Sequence, residues 1–369
     1  MKVVHIITSL GDGGAEHTLY KICKYDKINN HTVITLKYRG KYFSLLNKLG
    51  IKVYYLNLKY LSINKVFFLI KLLRFLKPDV VQTWLIHGDF IGGIAAKLAG
   101  IKNIVWNIRY SRINIKTSKI LTFIISKILV VLSHFIPKKI IIVSRVAKKN
   151  YVNLGYQEKK MNLIPNGYDL SILKPNNIEK QIFRNKLKLN KNVPLLGKVA
   201  RYDPRKDHSN LLNALSIIKK RKIFFVCILV GTQINKNKRL IDQIKKLGLE
   251  KNVKLLGPKQ NISLIMNAID VHIQSSSTEG FPNVLAEAMA HQTPCVATNV
   301  GETSFIIGKT GWVTVPKNPK KLAKMIDKSI LEIGTKKWGA RCKKARSRII
   351  KNFSITKMIR LYNEVWKTI

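Results

Sequence analysis

The sequence predicts an α/β protein of two Rossmann-like domains, each built on a doubly wound parallel sheet. Three observations carry that expectation. The chain has 369 residues, 46% of them apolar, and a single hydrophobic core rarely grows beyond roughly 250–300 residues. Apolar runs of strand length alternate with amphipathic stretches of helix length from end to end, the pattern of parallel strands joined by crossover helices. That series breaks at a polar, proline-bearing stretch over 171–192 and then restarts.

In the first half, strands are expected at Lys2–Thr8, Thr32–Leu36, Val53–Leu56, Val80–Thr83, Ile104–Asn107, Lys139–Val143 and Asn162–Ile164. Between them, helices are expected near 14–24, 41–49, 63–76, 88–99, 117–134 and 144–153. The second series has strands at Pro194–Ala200, Ile223–Val230, Val253–Leu256, Val271–Gln274 and Cys295–Thr298. From Lys317 to Ile369 the tail reads as helix only, with Phe353, Met358, Leu361, Tyr362 and Trp366 at helical spacing. A last helix of this kind is expected to cross back to the first domain. The expected domains are therefore 1–175 with 352–369, and 176–351.

The opening Met1–Ser9 has too short an apolar run for a signal-peptide core, and no small-residue cleavage site follows, so a cytoplasmic protein is expected. Cys23, Cys227, Cys295 and Cys342 form no C-x-x-C pair and are expected as reduced core thiols. With 67 Lys and Arg against 19 Asp and Glu, the formal charge is +48, which implies attraction to a polyanion: nucleic acid, anionic lipid or a phosphorylated substrate. Nucleic acid is not the expected partner, because no reader motif appears and the basic residues are scattered rather than interleaved with aromatics. Two stretches, Ser62–Lys77 and Ile120–Ile136, combine an apolar run with lysines. Each fits either a crossover helix buried against a sheet or a helix lying in an anionic membrane surface.

The segment from Ser275 to Ala290 reads as a strand, a polar loop and a helix opened by Pro282 in its first turn, with another strand beyond Pro294. A helix start of this kind, at Gly280, Phe281, Pro282, Asn283 and Val284, offers amides and a dipole that suit a phosphate. Glu279 precedes the helix and Glu287 lies five residues past Pro282, roughly 7.5 Å along the axis, so the two carboxylates frame a phosphate-sized opening. A carboxylate deeper on such a helix can accept hydrogen bonds from ribose hydroxyls. Arg201 and Lys206 follow the strand ending at Ala200, beyond a carboxyl end where ligands of open α/β sheets bind, and can hold a diphosphate. Cations fixed there stabilise the negative charge of a departing nucleotide. Asp207 or Ser209 can cap the helix that follows. Gly11, Gly13 and Gly14 follow the first strand, where missing side chains let backbone approach a ligand. His87 follows the fourth strand, and Arg109 the fifth. The remaining candidates His134, His272 and His291 read as structural. No nucleophile-and-base pair, G-x-S-x-G word or Walker loop is visible.

Glu279 and Glu287 match the E-x7-E motif of the retaining GT-B glycosyltransferases, and the words around them, EGFPNVLAEAMA and PCVATNVG, resemble that family's. So do GGAE at Gly13–Glu16, IPNGYD at Ile164–Asp169, ARYDPRKDH at Ala200–His208 and GKTGWVTVP at Gly308–Pro316, in order over nearly the whole chain. The resemblance implies two Rossmann-like domains facing across a cleft, with the acceptor on the first and a nucleotide-diphosphate sugar on the second. It implies that Glu287 binds the donor ribose, that Glu279 lies near the transferred sugar, and that Gly13 and Gly14 lie beside the donor phosphates and the acceptor. By the same resemblance His87 orients the sugar or acceptor, and Asn166 and Gly167 shape the cleft floor. Glu302 begins another loop after a strand and is a candidate to meet the donor sugar or base, although the family usually has a second small residue or an Asp beside Gly301; Arg109 is a candidate acceptor-phosphate contact. The chain has no D-x-D handle for a divalent ion, so metal independence and no cofactor are expected.

The activity implied is retaining transfer from a nucleotide sugar, a UDP-sugar favoured, to a lipid-linked saccharide in bacterial polysaccharide or lipopolysaccharide synthesis, on the inner face of the cytoplasmic membrane. A GT-B sugar-nucleotide epimerase is the alternative enzyme, and a basic nucleic-acid-binding protein the alternative of another class.

Overall fold

The computed structural model describes residues 1–58, 62–109, 120–190 and 192–369. It divides into two compact units, Met1–Gly167 with Ile355–Ile369, and Tyr168–Ser354. The sheet of the first unit contains β1 (Lys2–Ser9), β2 (Asn30–Tyr38), β3 (Lys52–Tyr55), β4 (Val80–Trp84), β5 (Ile104–Ile108), β6 (Lys139–Ile142) and β7 (Met161–Leu163). Their order is β3-β2-β1-β4-β5-β6-β7, with every pairing parallel. The second holds β8 (Leu195–Val199), β9 (Val226–Val230), β10 (Val253–Leu256), β11 (Val271–Gln274), β12 (Cys295–Thr298) and β13 (Trp312–Thr314). These lie parallel in the order β10-β9-β8-β11-β12-β13. In each sheet the winding reverses once, between β1 and β4 and between β8 and β11, and such a switch point opens a crevice at the carboxyl ends of the two strands.

Alternation along the strands builds two cores per sheet. Val4, Ile6, Ile34, Leu36, Val81 and Trp106 face one side of the first sheet, beneath the helices Ile63–Leu76 and Ile120–Phe135. Val3, Ile7, Val33, Val80, Val105 and Ile141 face the other, beneath Gly14–Tyr25 and the final helix Ile355–Lys367. Side chains with a period of two thus stay apolar on both faces, as a sheet covered on both sides requires. The final helix is tied to the sheet by Trp366, whose indole donates to Gln82 Oε1 (2.6 Å), and by Tyr362, whose hydroxyl accepts from Asn107 Nδ2 (2.8 Å). Gly167 lets it approach, since a Cβ there would lie 2.7 Å from Met358 Cβ and 2.9 Å from Ile355 Cα.

Four expectations need correction. The stretch 171–192, expected as a break, contains the helix Asn177–Lys186, capped by the Asn176 side chain. The three-residue β13 is too short to announce itself by periodicity. The helix expected over 88–99 is split into a turn at Leu85–His87, a wide π-type turn at Gly88–Gly92 and the helix Gly93–Leu98. Leu85 takes a positive φ of 68°, and a Cβ on Gly88 would lie 3.0 Å from the Ile6 carbonyl oxygen. Sharp reversal and close packing on β1 therefore replace regular winding. Finally, Pro282 is the N-cap of the helix Asn283–Ala290 rather than part of its first turn. Residues 117–119 of the expected helix 117–134 lie outside the described residues.

Candidate functional site

At the switch point of the second sheet, loops from β8, β11 and β12 meet at Glu279 and Gly280. Lys206 sits on the short turn Pro204–Lys206, and its ammonium lies 2.6 Å from Glu279 Oε1. Ser276 donates to the same oxygen at 2.7 Å. The two loops are stitched together behind this pair: the Ser277 amide donates to the Arg205 carbonyl at 2.8 Å, and the buried Lys198 donates to the Lys206 carbonyl and to Ser275 Oγ, both at 2.6 Å. Burial pushes the Lys198 ammonium down to about 7, against the pull of Glu279. The third loop closes in through the Glu302 amide, which donates to the Gly280 carbonyl at 3.0 Å. That approach requires Gly301, whose φ is +56° and whose Cβ, if present, would collide with the Gly280 carbonyl.

Arg201 and Arg205 share the carboxylate of Asp203, at 3.3 Å and 2.7 Å, and both guanidinium groups are exposed. Hydrogen bonds from Arg205 hold the Asp203 carboxyl well below the usual carboxylate range. Asp207 caps the helix His208–Lys220 by accepting from the Asn210 amide. In the helix Asn283–Ala290, Asn283 accepts from the Tyr168 hydroxyl at 2.6 Å. Glu287, one turn deeper, lines a recess of about 520 Å³ with Leu173, Asn261, Ile262, Met266 and His291.

The first sheet brings another set of groups to its own switch point. Gly11, Gly13 and Gly14 follow β1, and nothing lies within 4 Å of where a Cβ on Gly11 or Gly14 would be. The fold does not demand small residues at those two positions. His87 follows β4 and is half-buried; burial, with the positive field of Lys37, lowers its imidazole below the ordinary value. Beneath it Asp89 is fully buried, and burial pushes its carboxyl up to about 8 against hydrogen bonds from Thr83 Oγ1 (2.6 Å) and the Asn107 amide. Arg109 donates to Thr18 Oγ1 at 3.0 Å and to Asn166 Oδ1.

Two family models divide the chain between them. The model for Glycosyltransferase Family 4 matches residues 12–172, and that for Glycosyl transferases group 1 matches residues 179–352. The chain belongs to the GT-B glycosyltransferases. Among its relatives is the capsular polysaccharide biosynthesis glycosyltransferase CapH of Staphylococcus aureus, 27% identical over 316 residues that make up 83% of each chain. Another is the Escherichia coli UDP-Gal:alpha-D-GlcNAc-diphosphoundecaprenol alpha-1,3-galactosyltransferase, 25% identical over 79% of this chain and 76% of that one. The fold matches Anabaena HepE, solved in complex with UDP, with a TM-score of 0.88 over 100% of both chains at 23% identity.

Within this GT-B glycosyltransferase, the second unit gathers Lys206, Glu279, Gly280 and Glu302, with Arg201 on the same β8 loop. The first unit gathers the glycine loop and His87 at the ends of neighbouring strands. Sequence reasoning missed Lys198, Asp203 and Asp89. A lysine inside an apolar strand and an acid two residues before an arginine were the available signals.

One further cluster, His5, Cys23 and His31, brings three potential metal-ligating atoms within 4.8 Å of one another, all buried. Its nitrogens are committed otherwise. The Trp84 indole, a donor only, lies 3.2 Å from His5 Nδ1, so His5 carries its proton on Nε2. That proton goes to His31 Nδ1 at 3.0 Å, and His31 Nε2 donates to Asp26 Oδ2 at 3.2 Å. A metal on His5 Nε2 would need a proton on Nδ1, facing the Trp84 donor. The cluster is a buried relay that ties the first two strands to the end of the first helix.

Proposed function

We propose that this glycosyltransferase moves a sugar, with retention of configuration and without a metal, from a nucleotide-diphosphate donor to a lipid-linked saccharide during bacterial surface-polysaccharide assembly. The observation that carries the reading is the junction at Lys206 and Glu279, where a cation, a carboxylate and the start of the helix Asn283–Ala290 lie on neighbouring loops at a switch point. In this reading Arg201 and Lys206 hold the diphosphate with the backbone N–H groups of Gly280, Phe281, Asn283 and Val284, Pro282 having none, and Glu287 accepts from the ribose hydroxyls. Glu279 meets the transferred sugar, with its carboxylate held by Lys206 and Ser276 until a donor diphosphate competes for the ammonium. Gly13 and Gly14 admit the phosphates close to the backbone, and His87, neutral at physiological pH, orients the sugar or the acceptor.

A UDP-sugar is favoured as donor, because a relative acts from UDP-Gal and HepE was solved with UDP and with UDP-glucose. The diphosphoundecaprenol acceptor in that relative's name supports a lipid-linked acceptor here. As bond-making, the acceptor oxygen attacks the anomeric carbon on the face the diphosphate leaves, the departing phosphate oxygen takes the acceptor proton, and UDP departs. Fixed cations facing the leaving group supply the charge stabilisation.

The test is slow donor hydrolysis. Incubation with a panel of nucleotide sugars should release nucleoside diphosphate from one of them, with release lowered about 100-fold or more by Glu287→Ala or Lys206→Ala, the scale on which loss of one oriented electrostatic group acts. Release unchanged in both variants would reject the assignment. Interconversion of a nucleotide sugar with its epimer, with no acceptor present, would favour the epimerase instead.

A further inference from the structure

Two helices on one face of the first sheet turn their apolar sides outward. The helices Ile63–Leu76 and Ile120–Phe135 both bury their inner residues, Leu69, Leu73, Ile125 and Leu129 among them, in the same core. On the outer side of the second helix, Ile120, Ile124, Ile128, Val131 and Phe135 are all exposed, the two end residues by 80% and 71%. At 100° per residue these five fall within roughly 80° of arc, one continuous stripe. On the first helix, Ile63 and Phe75 are exposed by 70% and 76%, and Phe67 and Phe68 by more than half. The segment Leu85–Leu98 packs between the two helices.

Charge says what such a face meets. Neither helix contains an Asp or a Glu, and Lys71, Arg74 and Lys127 are exposed among the apolar residues. Between Asp26 and Glu158 the chain has only two acidic residues, Asp79 and Asp89, and Asp89 is buried. An apolar stripe edged by cations alone matches a bilayer interface carrying anionic headgroups, where the side chains enter the acyl boundary and each cation adds attraction. A protein partner would leave these cations to find their own acidic groups. No helix among the described residues is long and apolar enough to cross a membrane, so contact is with the interface.

We propose that the outer face formed by Ile63–Leu76 and Ile120–Phe135 docks on an anionic lipid surface. The docking rests on the proposed function only for its purpose, which is to bring a lipid-linked acceptor to the first unit.

Vesicle sedimentation of the full chain tests it, with phosphatidylcholine alone and mixed with phosphatidylglycerol. The quadruple variant Phe67→Gln, Phe75→Gln, Ile124→Gln and Ile128→Gln should lower binding to the mixed vesicles about ten-fold or more. Lys71→Gln with Arg74→Gln and Lys127→Gln should remove most of the preference for the anionic vesicles. As a matched control, Ile178→Gln with Ile182→Gln changes two exposed isoleucines of the second unit and should bind as the unaltered chain does. Donor hydrolysis in the absence of vesicles should be the same in all four proteins, which separates failure of docking from failure of the catalytic reading. Unchanged vesicle binding in the quadruple variant would overturn the proposal, as would its conversion of a dimer to a monomer with vesicle binding intact.

Discussion

Glu279 and Lys206 are 73 positions apart in sequence, and no local pattern announces that their side chains touch. What is legible in the chain is that each belongs to a loop following an apolar strand. The contact itself comes from the neighbouring of β8 and β11, a tertiary fact. Lys198 was hidden for a related reason: its neighbours in sequence are strand residues, and the partners that allow its burial, Ser275 and the Lys206 carbonyl, come from elsewhere. Asp89 gives the clearest prediction at this scale. Its folded value of about 8 lies above the unfolded value of about 3.9, so the folded state resists ionisation. The site takes no stability away below about pH 4; it takes away progressively more as pH rises to about 8, and a constant amount above. Asp89→Asn keeps an acceptor for Thr83 and removes the ionisation. Urea unfolding at pH 7.5 should therefore show a higher midpoint in the variant, with the advantage shrinking as pH is lowered toward 5. An advantage independent of pH would mean that Asp89 does not titrate in this range.

Elements were easier to read than contacts. β10, β11 and β12 have the bounds expected of them, because their apolar residues, Val253, Val271, Ile273, Cys295, Val296 and Ala297, are buried in the cores of the sheet, although Lys254, His272 and Gln274 interrupt the runs. Reading failed where the local rule was broken by packing: at Gly88–Gly92, where close approach to Ile6 displaces the α-helix, and at β13, three residues long. The returning helix was visible because Met358, Leu361, Tyr362 and Trp366 recur at helical spacing, and its burial against Gln82 and Asn107 gives the pattern its cause. Trp366 is fully enclosed and adds an indole hydrogen bond, so Trp366→Ala removes a large side chain and leaves the Gln82 oxygen without its donor. Such truncations cost about 3–5 kcal/mol. Denaturant titration should show the loss in the transition of the first unit, with the second unit's transition little moved, because Trp366 packs among residues of the first.

At the scale of the whole molecule, the repeated winding of two sheets was readable because length and alternation agree, although the stretch expected as a break holds a helix and the units part at Gly167 and Tyr168; the position of functional groups at both switch points was not readable, since strand order is not written in any one strand. The same scale owns the charge. Exposed ion pairs such as Lys41–Asp12 and Arg360–Glu364 are present, each contributing about 0–1 kcal/mol and weakened by salt. Against them stands a formal excess of +48, whose self-repulsion opposes the compact state and is also screened by salt. The two effects predict opposite signs. Screening lengths shrink from about 30 Å at 0.01 M to about 10 Å at 0.1 M, so distant like charges are relieved over this range while contacts of 3–4 Å keep most of their attraction. Repulsion should therefore dominate, and the midpoints of thermal unfolding should rise by several degrees as sodium chloride is raised from about 0.01 M to 0.1 M. Sodium sulfate at matched ionic strength separates screening from occupancy: a larger rise confined to the second unit, abolished by Lys206→Ala, would mark anion binding at the Lys206 loop, and a fall in both midpoints with chloride would show that ion pairs outweigh the net charge.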